Sequence, residues 1–243
     1  MSKPSTKPDL TSTYKSLFNI GPRFRPMDLG DELQQLMTTK CNDCRLGVCS
    51  GRKSGFMWRG RLNAQVALIG QGPGPKEEEA GVPFVGPAGL LLDRWMLDYS
   101  GIPTSHCFVS NITHCMPNHE ARGSYDPQPD EIDVCLPRLI RVLLAVDPEV
   151  IITFGWLAAS ALLGLPGGEK TYHGNWFRSS LLPRAPIFCM PHPSGVLRSE
   201  DPKTYLRARE ALQHFQREYF EKKTFWQPGD PSYRGSIETP VAA

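Results

Sequence analysis

Four short apolar runs constrain this chain most: QVALIG (65–70), CFVSN (107–111), VIITFG (150–155) and PIFCMPH (186–192). They read as strands buried on both faces, the kind found in a parallel sheet covered by helices. Helical stripes lie between them. Pro87, suited to the first turn of a helix, leads into Ala88, Leu91, Leu92, Trp95 and Tyr99. Ile132, Leu136, Leu139, Ile140 and Leu143 repeat at helical spacing and end before Asp147-Pro148. GWLAASALLG supplies a short helix after the third run, and Tyr205, Ala208, Leu212, Phe215 and Tyr219 form the last stripe. The alternation predicts an α/β fold, a three-layer α/β/α sandwich with a four-stranded parallel sheet.

With 40% hydrophobic residues in 243, the chain can build a sizeable core. No apolar run reaches membrane-spanning length, and MSKPSTKPDLTSTYK lacks the apolar segment of a secretory signal, so a cytoplasmic protein is expected. A net charge of +2 announces no nucleic-acid binding by itself. The expected organisation is a flexible arm over 1–30, one domain over 31–222 and a Pro/Gly-containing tail over 223–243. A monomer is expected.

Three segments rich in Gly, Pro and polar residues close strands: GQGPG after the first, SNITHC after the second and PHPSGVLR after the fourth. Ligands of open parallel sheets bind beyond the carboxyl ends of the strands, so these loops point to one site. The first loop departs from the dinucleotide pattern, because Pro73 and Pro75 remove backbone donors that a diphosphate would want. The Gly-Lys-Ser/Thr of a P-loop and the G-x-S-x-G of a hydrolase elbow are also missing. What remains is a rigid corner in which Phe84, between Pro83 and Gly86, can stack on something flat. Cys41-x2-Cys44, with Cys49 nearby, has metal-ligand spacing, and four of the seven cysteines lie downstream. A zinc-stabilised α/β nucleotide binder is one reading of these features.

GQGPGPKEEEAGVPFVGPAGLLL resembles the first motif of the uracil-DNA glycosylase superfamily, in particular its iron–sulfur branch, family 4. SNITHC is similar to that branch's T-N-x-x-K-C, HPSGVLR to its H-P-[AS]-x-x-L-R, and CNDCRL to its C-x-x-C-x-L. The likeness runs in order over residues 35 to 220. It implies a monofunctional DNA glycosylase that flips a pyrimidine out of single- or double-stranded DNA and hydrolyses its N-glycosidic bond. It also implies a [4Fe–4S] cluster on Cys41, Cys44, Cys115 and Cys135, with zinc as the rival occupant.

By the same resemblance Phe84 stacks on the base, Asn111 reads its edge and His192 stabilises charge on O2. Gly70, Gln71 and Gly72 line the pocket, Glu77 orients water, and Pro193, Ser194 and Arg198 meet the DNA backbone. Gln71 stands where the branch has Glu, Gly72 where another branch has a water-activating Asp, and His114 where a Lys is usual. An amide does not titrate, so Gln71 is no general base. These departures leave two alternatives: excision of a modified cytosine of phage DNA in antiviral defence, or a non-catalytic DNA-binding module. Arg45, Arg52, Lys53, Arg59 and Arg61, with Phe56 and Trp58 interleaved, form one candidate phosphate track. Arg178, Arg184, Arg198, Arg207 and Arg209 form another.

Overall fold

The computed structural model describes residues 35–37, 41, 43–44, 56–117 and 126–222. The proposed arm and tail, Cys49, Arg45, Arg52 and Lys53 lie outside the described residues. Strands β1 (Trp58–Gly60), β2 (Val66–Gly70), β3 (Phe108–Asn111), β4 (Val150–Phe154), β5 (Trp176–Ser179) and β6 (Leu182–Met190) form one sheet, ordered β1-β3-β2-β4-β6-β5.

The four strands read from the apolar runs make up its parallel centre, β3-β2-β4-β6. The sheet is nonetheless mixed, since β1 joins β3 and β5 joins β6 antiparallel at the edges. Those two strands hold three and four residues, too few to leave an apolar run in the sequence. Strand β6 also starts four residues earlier than the run 186–192 implies. Its first residues pair only with β5, and Pro183 and Arg184 there are exposed.

Period two in the central strands feeds two cores. Ala67, Ile69, Ile151, Ile187 and Cys189 face one side, where they meet α3 (Pro129–Val146) and α4 (Trp156–Leu163). Val66, Leu68, Val150, Ile152, Phe154, Phe188 and Met190 face the other. There they meet α2 (Pro87–Trp95), its π-helical continuation Met96–Ser100, and α7 (Pro202–Lys222). These are the three expected layers. Asp147, in left-handed conformation at φ 48°, ends α3 ahead of Pro148.

Three short helices had no periodic signal: α1 (Pro75–Ala80), α5 (Glu169–Tyr172) and α6 (Pro193–Arg198). At four to six residues each, they are too short to show a stripe. Two of them start on the prolines of the site loops, because Pro fits the first turn.

Leu68 is fully enclosed in the second core. Leu68→Ala is expected to lower stability by about 2–5 kcal/mol, the transfer term plus a residual cavity. Urea unfolding followed by circular dichroism measures it; a change under about 1 kcal/mol would mean that this core is not packed as described.

Candidate active site

The parallel centre delivers the site loops to one edge. Gly70 pairs with Asn111 across β2 and β3, and Phe154 with Met190 across β4 and β6. Gln71, Gly155 and His192 thus leave neighbouring strand ends. Gly70 must be bare: a Cβ there would lie 2.4 Å from Asn111 Oδ1 and 2.4 Å from Phe84 Cζ. Gly155 adopts φ +89°, and a Cβ on it would lie 2.4 Å from Gln71 Nε2 and 3.3 Å from His192 Cβ.

Phe84 has φ 57°, a left-handed conformation that a bulky side chain rarely takes. Glu77 of α1 holds the turn in place. Its Oε1 accepts the N–H groups of Val85 and Gly86 at 2.9 and 2.7 Å, and its Oε2 that of Gly74 at 3.2 Å. Gly89 gives the turn room, for a Cβ there would sit 1.8 Å from the Phe84 carbonyl oxygen. The next carboxylate, Glu78, accepts the N–H of Met116 at 2.9 Å and ties α1 to the loop after Cys115.

Phe84, Asn111 and His192 line one cleft of about 1070 Å³, together with Gln71, Gly72 and Glu77. The Phe84 and His192 rings are near parallel, with centroids 6.1 Å apart and planes at 25°. Asn111 is 1% exposed, and its Oδ1 is buried without a hydrogen-bond partner. A buried amide oxygen left unpaired costs free energy, which a ligand bringing a donor would recover.

His192 caps α6. Its Nδ1 accepts the N–H of Ser194 at 3.2 Å and lies 2.8 Å from the Ser194 hydroxyl. An Nδ1 that accepts an N–H carries no proton, so the neutral ring holds its proton on Nε2. Burial, and then the Arg198 charge, push the imidazole pKa down to about 4. The cleft is therefore offered a neutral N–H donor rather than an imidazolium.

Other expected residues fall differently. Ser194 directs both its hydroxyl and its N–H to His192 and so orients the ring. Pro193 is buried at the start of α6 and does not line the cleft, whereas Arg198 and Arg207 do. Arg59 is held by Asp93 at 2.5 Å, and Arg184 by Asp147 at 2.9 Å. Phe56 and Trp58 are not laid out for bases either. Phe56 packs on His114 at 3.9 Å and on Phe108, and Trp58 on Phe108. Gly89, Gly155 and the Ser194–His192 pair carry little signal in the sequence. Only a glycine directly after an apolar run, as in TFGW, hints at the second of these.

A family model of the uracil DNA glycosylase superfamily matches residues 57–216. The chain belongs to that superfamily. Similar proteins include the type-4 uracil-DNA glycosylase of Pyrobaculum aerophilum, 32% identical over 174 residues, covering 69% of this chain and 85% of the relative. That of Thermotoga maritima is 30% identical over 179 residues, covering 70% and 85%. That of Saccharolobus solfataricus is 36% identical over a shorter 123 residues, 51% and 54% of the two chains.

In this superfamily member Cys41 and Cys44 are half-buried, while Cys115 and Cys135 are buried. The Cys41 thiol donates to Asp43 Oδ2 at 3.4 Å. Burial pushes the Cys135 thiol up to about 12; a backbone hydrogen bond from His114 opposes this, and the nearby Cys115, Cys44 and Cys41 add to it. Cys135 thus lies within electrostatic reach of the other three, although no three His, Cys, Asp or Glu among the described residues close into a ready cage. Closure of such a ligand set ordinarily comes with the metal. No described helix is long and apolar enough to cross a membrane.

The His192 ring is expected to stay neutral, with its proton on Nε2, from pH 8 down to about 5. Nitrogen chemical shifts of labelled protein check this, and titration near the ordinary 6.5 would refute it. The sign for stability follows from the same depression. Between about 4 and 6.5 the unfolded chain binds the proton that the folded ring refuses, so this contribution is whole above 6.5 and lost as pH falls toward 4.

Proposed function

We propose that the chain is a monofunctional uracil-DNA glycosylase, carried by a single domain over 31–222 and acting on DNA as a cytoplasmic monomer. The observation that carries this is one cleft in a superfamily chain joining the Phe84 ring, the unpaired Asn111 oxygen and the His192 Nε2–H. The type-4 relatives are named for uracil, which supports uracil rather than a modified cytosine.

The target nucleotide leaves its stack and enters the cleft. Phe84 covers the ring face. Asn111 pairs with the pyrimidine edge, its Oδ1 accepting from N3–H and its amide donating to O4. As the C1′–N1 bond breaks, the electron pair moves onto the base, and the charge on O2 receives the hydrogen bond of His192 Nε2–H. Water adds to C1′ and its displaced proton neutralises the base, giving free uracil and an abasic site. The Glu77 carboxylate, expected to orient water, serves in this reading as the clamp on the Phe84 turn instead, with Gln71 the polar side chain beside His192. Among the described residues no lysine lines the cleft to form a Schiff base, so strand cleavage is not expected.

Cys41, Cys44, Cys115 and Cys135 fit a [4Fe–4S] cluster better than zinc on the superfamily branch they resemble, and either group accepts four thiolates. When bound, the cluster supplies a structural cross-link between the N-terminal segment, the loop after β3 and α3. Anaerobically purified protein is expected to absorb in the visible region and to carry about four irons per chain. Colourless protein with stoichiometric zinc would reverse the metal assignment.

The activity is tested with oligonucleotides carrying one uracil, single- or double-stranded, followed by alkali. Cutting at uracil is expected, with Asn111→Ala and His192→Ala each slower by about 100-fold or more and still folded. Near wild-type rates in both variants would discard the mechanism. Binding without cutting by the wild type would favour a non-catalytic module.

A further inference from the structure

Trp156 is absent from both hydrophobic cores and is 38% exposed, yet it lines the cleft. Gly155 fixes its place. Pinned by its N–H to the Met190 carbonyl at 2.8 Å, and at φ +89°, Gly155 lies against the Gln71 amide and the His192 Cβ. The indole therefore starts one residue from the glycine that abuts Gln71 and His192. A tryptophan that packs in no core gains nothing for the fold by standing there.

The cleft is also lined by His173, at the end of α5, which packs against α4. His173 Nε2 is buried without a hydrogen-bond partner. Neither residue has a part in the chemistry above. The cleft, at about 1070 Å³, is also much larger than one pyrimidine ring requires.

A flat, apolar surface in the cleft that also holds a buried polar atom suits a second nucleobase. When one nucleotide leaves the stack its neighbour loses a stacking face, and in single-stranded DNA it has no pairing partner either. Aromatic side chains take such bases with little regard to sequence. We propose that Trp156 is a stacking platform for the nucleobase adjoining the extruded one, with His173 offering a hydrogen bond at its edge. This rests on the glycosylase reading and adds a substrate subsite to it. The enzyme accordingly favours substrates whose flanking base is unpaired.

The test compares wild type, Trp156→Ala and Trp156→Phe on single-stranded oligonucleotides. One set carries 2-aminopurine directly 5′ or 3′ of 2′-fluoro-2′-deoxyuridine, whose glycosidic bond resists cleavage. The other carries ordinary deoxyuridine for turnover. The wild type is expected to quench 2-aminopurine on one side, W156A to lose the quench and W156F to restore most of it. On deoxyuridine W156A is expected to raise KM about 5- to 100-fold with kcat within about 3-fold. That difference should vanish when the flanking position is abasic. Unchanged quenching and KM in W156A, beside a wild type that excises uracil, would overturn the platform alone. Failure of the wild type to excise uracil would overturn the glycosylase reading and the platform with it.

Discussion

Parallel pairing of β3, β2, β4 and β6 is the constraint from which the site follows. It sends all four carboxyl ends to one edge, so side chains from position 71 to position 192 meet there without any contact in sequence. Only burial on both faces makes such pairing stable, and the two cores supply it from opposite sides. The antiparallel edge strands extend the sheet but contribute nothing to that edge beyond width.

Close approach at this edge is purchased with missing side chains. Gly70, Gly89 and Gly155 each stand where a single carbon would strike Phe84, Asn111, Gln71 or His192. The Glu77 carboxylate then gathers three backbone N–H groups from two turns and keeps Phe84 in a conformation its own backbone disfavours. Local strain at a cleft-lining residue, maintained by its surroundings, is a common arrangement at functional sites. The corner is rigid because its hydrogen bonds converge on one carboxylate.

The electrostatics point the same way. His192 is kept neutral by burial and by Arg198, and its tautomer is set by Ser194. Such a donor stabilises a departing oxyanion without requiring a proton at neutral pH. Asn111 complements it with an acceptor already stripped of water. In the proposed mechanism the catalytic work is divided between preorganised neutral groups, which suits a chain with Gln71 in place of an acid.

Much of this was legible in the residues. The apolar runs named the four central strands, the helical stripes named α2, α3, α4 and α7, and the motif loops named Phe84, Asn111 and His192. The runs and stripes are signals of period, which the chain carries locally, whereas Asn111 and His192 came from the resemblance of their loops to the family motifs. Tertiary structure decided what needs distance. It made Ser194 the partner of His192, paired Arg59 with Asp93, and packed Phe56 and Trp58 against Phe108. It also left Trp156 out of the core and open to the cleft. A side chain's period tells which face it occupies, but its partners are whatever the fold brings to within a few ångströms, and that is not written in the neighbouring residues.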